Sequence, residues 1–262
     1  TSGATRESNA ILKRSSVSAM SDYLAWCLAE QEKGAWDWEL YKSNQRVLAS
    51  GGIGYNIFAW LHYPPRWFES DPRFVRYTDL ENGATIPQLS IFAPFTVELY
   101  DEFYGRLARE MGKEIAFLRL ALPADYGEVG YPAGMTKWLR TQEYARPAYW
   151  CGDEFARKSF VDCVSKRYPT VQAVNAAWGT GFETKDDLEM PDVSKSAEHW
   201  RSSGSNRRRW LDFADWYCEA QADGLRRLAP IVKKHFPGKE LIASLGYGGE
   251  VLKYGNDEGR IV

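Results

Sequence analysis

Two carboxylates, Asp125 and Glu128, stand in segment 120–132 (LALPADYGEVGYP), among glycines and tyrosines and directly behind an apolar run. A carboxyl group crowded by Tyr126 and Tyr131 is poorly hydrated, which penalises its charged form and raises its pKa. Such a group holds its proton near neutrality and can deliver it to a departing oxygen, the task of the general acid in glycoside hydrolysis. Position alone favours the plainer reading, two ordinary loop carboxylates.

A second group lies behind another apolar run, where Trp60, His62, Tyr63 and Trp67 cluster around Pro64-Pro65. Flat rings suit the apolar C–H face of a pyranose, so these side chains could wall a sugar site, with His62 bonding a hydroxyl. Packing of the loop around the two prolines explains them equally well. Asp22, near the end of the first apolar run, is placed to reach the same cleft, as are Tyr126 and Tyr131. Asp153 and Glu154 open a helix, where carboxylates complement the helix dipole, and read as structural. The four cysteines (Cys27, Cys151, Cys163, Cys218) and three histidines match no metal-ligand spacing, so neither a metal nor a cofactor is expected.

The elements that would position these groups alternate between apolar runs and helical periods. Residues 17–26, 53–60, 88–92, 115–122 and 241–245 read as strands, and the fourth ends at Pro123. Residues 37–49, 96–111, 153–168 and 208–236 read as helices, the last with Pro230 as a kink or break. Thr170 is the expected N-cap of a short helix that leaves through Gly179. Strands this apolar, separated by helices, argue for a parallel sheet covered on both faces, either doubly wound or a (β/α)₈ barrel. No G-x-G-x-x-G follows the first strand, and Gly51-Gly52-Ile53-Gly54 precedes a strand, so that cluster reads as a turn. Active groups of such barrels sit at the C-terminal ends of the strands, where Glu128 falls.

Composition narrows the function classes. Against 35 acidic residues stand 33 basic ones, a formal net charge of −2, which lacks the basic footprint of a nucleic-acid binder. No run approaches the roughly 18 apolar residues of a membrane span. No charged region followed by an apolar core opens the sequence, although a removed leader would leave no trace, so the compartment stays open. Aromatics make up 15% of the residues, 11 of them tryptophan, a density that serves large cores first and sugar clefts second.

Several stretches resemble known families. Pro123-Ala124 and Gly127-Glu128-Val129-Gly130-Tyr131-Pro132 resemble the G-P-A-G-E-x-x-Y-P stretch of β-amylases, with Asp125 and Tyr126 inserted between the halves. Residues 160–168 with 171–182 (VQAVNAAWGTGF) resemble the helix and the L-N-x-A-W-G-T-x-F run of the family 42 β-galactosidases. Residues 210–216 (WLDFADW) resemble that family's L-D-Y-x-R-F helix. Residues 23–38 and Pro64-Pro65-Arg66-Trp67 are similar to its segments after the first two barrel strands. The resemblance spans most of 17–245.

It implies a TIM-barrel glycosidase acting on an oligosaccharide or polysaccharide, with Glu128 as general acid, and homo-oligomeric assembly as in family 42. Family 42 carries D-N-E-Y-G at the acid. Aligning Tyr126-Gly127 there would select Asp125 instead, with Ala124 in place of the Asn. Glu128 is preferred because Gly-Glu before Tyr-Pro matches the β-amylase form and the longer side chain reaches further. A full barrel takes roughly 250 residues, yet only about five β/α units are read here. One catalytic domain over 1–262, incomplete at its C-terminus and with a helical insertion at about 150–236, is therefore expected. The second carboxylate would come from a later strand. A non-catalytic carbohydrate-binding barrel and an unrelated α/β enzyme are the alternatives.

Overall fold

The computed structural model describes residues 3–120, 122, 128–132, 146–245, 251–255 and 257–261. Helix α1 (Arg6–Arg14) begins at a capping box in which Thr5 and Ser8 satisfy each other's backbone N–H groups. It leads into β1 (Ala19–Ala25), the single turn α2 (Trp26–Ala29), α3 (Glu39–Ser50) and β2 (Gly54–Trp60). A hairpin of β3 (Arg76–Thr78) and β4 (Thr85–Leu89) precedes α4 (Phe95–Met111) and β5 (Leu118–Leu120). Helices α5 (Glu154–Arg167), α6 (Val171–Trp178), α7 (Ser196–Arg201) and α8 (Ser205–His235) then intervene before β6 (Leu241–Ala243). Two short helices follow, α9 (Val251–Tyr254) and α10 (Glu258–Ile261).

The central sheet is parallel, in the order β1-β2-β5-β6. β1 and β2 pair in continuous register from Ala19 opposite Gly54 to Ala25 opposite Trp60. Phe58 then pairs with Arg119, and Arg119 with Ile242. Alternation along the strands sends Leu24, Tyr55, Ile57 and Ala59 into the main core beneath the helices. Phe58, Trp60 and Ala25 form a separate cluster on the opposite face. Helix α4 buries Leu99, Tyr100, Phe103, Tyr104, Leu107 and Met111 at helical spacing and packs against α8.

The sheet differs from the expectation in one strand. Residues 88–92 do not join it: Gln88 and Leu89 end β4, which pairs antiparallel with β3 in a separate two-stranded sheet. The apolar run behaves this way because Asn82-Gly83, with Gly83 at φ 72°, turns the chain back on itself and supplies a local partner. Among the described residues four parallel strands result instead of five. Pro230 neither breaks nor ends α8, which runs from Ser205 to His235. It is exposed, so water can meet the carbonyl that the proline leaves without a donor.

Residues 150–236 between β5 and β6 contain α5 to α8, and one buried carboxylate ties α5, α6 and α8 together. Asp212, on α8, accepts from Arg167, from Tyr168 Oη (2.7 Å) and from Trp178 Nε1 (2.8 Å), and pairs with Arg208 at 2.9 Å. Asp153 caps α5 by accepting from the N–H groups of Phe155 and Ala156. Thr170 caps α6, and Gly179, left-handed at φ 68°, ends it.

Candidate active site

Glu128 is placed by the return of the chain after β5. Val129 donates to Ser244 O at 2.7 Å and bridges Leu245 in parallel, extending the sheet contact of β6. Tyr131 donates its backbone N–H to Tyr254 O (2.8 Å), and its hydroxyl to Tyr217 O on α8 (3.0 Å). Its ring stacks on that of Tyr217, with centroids 3.9 Å apart. Gly255 passes so close that a Cβ there would sit 2.5 Å from the Tyr131 ring, and its φ of 67° also calls for glycine. Trp150 Nε1 donates to Pro132 O at 2.6 Å and fastens the far end of the segment.

The carboxyl of Glu128 is half-buried, and burial pushes its pKa up, opposed by the positive charge of Arg119. Arg119 lies on the sheet face that carries Phe58, its guanidinium 4.1 Å from the ring centroid, and it donates to Ser244 Oγ. Tyr23 of β1 shares this face. Its ring is 4.6 Å from Trp60 and 5.8 Å from Phe58, and it is 47% exposed. Arg119, whose charge reaches the raised-pKa carboxyl of Glu128, thus shares a sheet face with the open ring of Tyr23. That arrangement can donate a proton beside a stacked ring.

The other residues singled out in the sequence divide. Trp60 and Tyr63 are buried on the same face, with rings 5.8 Å apart. His62 packs at 4.1 Å against Tyr63 and is fully buried, which pushes its pKa down to about 3 and keeps the imidazole neutral. Among the described residues its ring nitrogens have no hydrogen-bond partner. Trp67 does not join them. Its indole donates to Glu30 O (3.1 Å) and stands edge-on to Trp26 over the helix layer.

Asp22 faces the helices instead of the cleft, because its register partner Ile57 belongs to the main core. Its carboxylate accepts from Asn44 Nδ2 and Tyr55 Oη, each at 2.7 Å. Tyr131 is a core residue, for the packing reasons given above. Asp125 and Tyr126 lie outside the described residues. Reading the sequence for motifs missed Arg119 and Tyr23. The signal was the cation inside the apolar run 115–122, and the two-residue period that puts Tyr23 opposite in facing to Leu24. Among the described residues no group of three His, Cys, Asp or Glu side chains is placed to hold a metal ion. No helix among them is long and apolar enough to cross a membrane.

Parallel strands with crossover helices, and a carboxyl at the strand ends, are the parts from which a (β/α)₈ barrel is built, and the solved structures that superpose on this chain are glycoside hydrolases of that fold. Residues 2–245 match the family described as β-galactosidase, glycoside hydrolase family 42, and the chain belongs to that family. A thermophilic β-amylase of Thermoanaerobacterium thermosulfurigenes is 22% identical over 242 residues, covering 86% of this chain and 43% of the relative. β-Galactosidase BbgII of Bifidobacterium bifidum is 22% identical over 248 residues, 93% of this chain and 34% of its own length. The chain thus spans less than half of these two curated relatives. Among solved structures, the β-amylase catalytic domain of Paenibacillus polymyxa superposes with a TM-score of 0.74 at 20% identity, over 92% of this chain and 62% of that one. The β-galactosidase of the psychrophilic Marinomonas ef1 superposes at 0.61 and 18% identity, over 90% and 34%.

Proposed function

We propose that this protein is a glycosidase that cleaves an oligosaccharide or polysaccharide, with Glu128 donating the proton to the departing glycosidic oxygen. The observation that carries this reading is a half-buried carboxyl with a raised pKa, anchored at the C-terminal end of a parallel strand in a chain of family 42. Tyr23 and Trp60 supply the aromatic wall against which a sugar ring stacks, and Arg119 sets the charge around the acid. Asp22, His62, Trp67 and Tyr131 take no part in contacting the sugar beside Glu128. A second carboxylate completes the reaction, as base or nucleophile.

The test is hydrolysis of aryl β-galactosides and malto-oligosaccharides by the protein and by its Glu128→Gln variant. Loss of a general acid lowers turnover by about 10²–10⁴-fold, with the smallest loss for aryl leaving groups that depart without protonation. Equal turnover by the variant on the malto-oligosaccharides would remove Glu128 from the mechanism.

A further inference from the structure

A groove of about 540 Å³ lies on the helix layer, away from Glu128, between α4 and the segment joining α2 to α3. That volume falls within the roughly 300–1,000 Å³ of small-ligand clefts. Leu99, Phe103 and Trp26 line it, and the half-buried Trp36 and Trp67 stand over them. Four cations line it as well. Arg73 is neutralised by Asp71 (3.0 Å) and Glu102 (3.0 Å).

The other three have no such ion pair among the described residues, although the charge of Lys33 helps to hold the Asp71 carboxyl below its usual range. Lys33 sits 5.4 Å above the Trp67 ring and Arg106 sits 5.4 Å above Trp36. Arg109 lies one turn further along α4. Among the described residues none of these three reaches a carboxylate at ion-pair distance. The acids that line the groove are committed elsewhere. Glu30 accepts from Trp26 Nε1 and from Gly34 N, both at 2.7 Å, and Asp101 accepts from Lys234 and from His235 Nε2 (2.7 Å).

We propose that this groove is a second carbohydrate site, which takes a glycan carrying carboxylates, a chain with uronate residues. The carboxylates pair with Arg106, Arg109 and Lys33, with Arg106 and Lys33 drawn off the rings of Trp36 and Trp67. The sugar rings pack against the exposed part of those indoles, and the other face of Trp36 is stacked on Trp38. Two planar guanidinium forks at i,i+3 spacing on one helix match planar carboxylates in two-point contact, which a compact ammonium cannot do. The choice of a glycan over an acidic peptide rests on the glycosidase reading above. The site itself is independent of Glu128.

Binding of a galacturonate trisaccharide, measured by calorimetry on the Glu128→Gln protein, tests the groove without turnover. Its carboxyl-reduced counterpart, a sulfated galactose trisaccharide and triglutamate serve as the comparisons. The uronate is expected to bind most tightly, at least tenfold more weakly in an Arg106→Gln, Arg109→Gln double variant, and more weakly as salt is added. Arg109→Gln alone replaces an exposed side chain with no ion pair, so it folds normally, and it should still reduce affinity.

Hydrolysis of short aryl glycosides by otherwise unaltered protein should be unchanged in both groove variants. Equal binding of the reduced trisaccharide would overturn the role of charge. Equal binding of triglutamate or of the sulfated sugar would overturn the uronate assignment. Unchanged affinity in both variants would overturn the site. A Glu128→Gln protein that still hydrolyses malto-oligosaccharides would instead count against the catalytic reading and leave the groove measurement standing.

Discussion

The helical insertion and the end of β5 use carboxylates in opposite ways. Asp212 is almost wholly buried yet has four partners, two of them arginines, so its charge is answered on every side. Glu128 is only half-buried, yet it has one cation nearby and a raised pKa. The first arrangement ties α5, α6 and α8 together, while the second favours the protonated form of the proposed acid. Burial alone therefore says little about a carboxylate. What surrounds it decides whether it stabilises the fold or does chemistry.

Four measurements break or sharpen that contrast. Asp212→Ala removes the common acceptor and leaves Arg167, Arg208 and the Trp178 indole without it. Loss of a buried ion-pair partner costs about 3–5 kcal/mol, and since both arginines are partly exposed, about 2–4 kcal/mol is expected in urea unfolding. An unfolding midpoint within error of the parent would end the claim that Asp212 organises the insertion. Asn175 is the next largest. It donates to Phe182 O (2.8 Å) and accepts from Thr180 Oγ1 (2.8 Å) and Phe182 N (3.0 Å), shaping the turn after α6. Asn175→Ala should cost about 1–2 kcal/mol and leave turnover alone.

Glu128→Gln should have the opposite sign. A carboxyl whose pKa is raised on folding opposes folding once it is ionised, above its folded pKa, and that penalty vanishes as pH falls below its unfolded value. The variant should therefore unfold at an equal or slightly higher denaturant concentration at pH 7, with the difference closing in acid. A clear loss of stability at pH 7 would mean that Glu128 is a structural group. The smallest effect is that of Arg119→Met. Arg119 pulls the Glu128 pKa down, so its removal lets that pKa rise, and the alkaline limb of kcat/KM moves to higher pH. An unmoved limb would separate the cation from the acid.

Much of the fold was legible in local patterns. The runs at 17–26, 53–60 and 115–122 hold β1, β2 and β5, and Thr170 and Gly179 bound α6. The most specific motif, Asn175-Ala176-Ala177-Trp178-Gly179-Thr180, marks the family but contains no site residue. Asn175 builds a turn and Trp178 hands its N–H to Asp212, so its specificity is that of a packing arrangement. Asp22 shows the converse. Its place near the end of a strand suggested a cleft, but the facing of that strand, fixed by its register with β2, turns it to Asn44 and Tyr55.

The sequence by itself determined the class of architecture, the strand behind Glu128 and the family, because apolar period and short-range capping depend only on neighbours along the chain. Tertiary structure decided where each aromatic lies, with Tyr23 open on the face of Arg119, Tyr131 in the core and Trp67 over the helices. It also decided that 88–92 pairs locally and that Asp212 is the hub. Those outcomes depend on partners far apart in sequence (Tyr131 on Tyr217, Asp212 on Arg167), and the free energy of burying a ring or a charge is set by what meets it there.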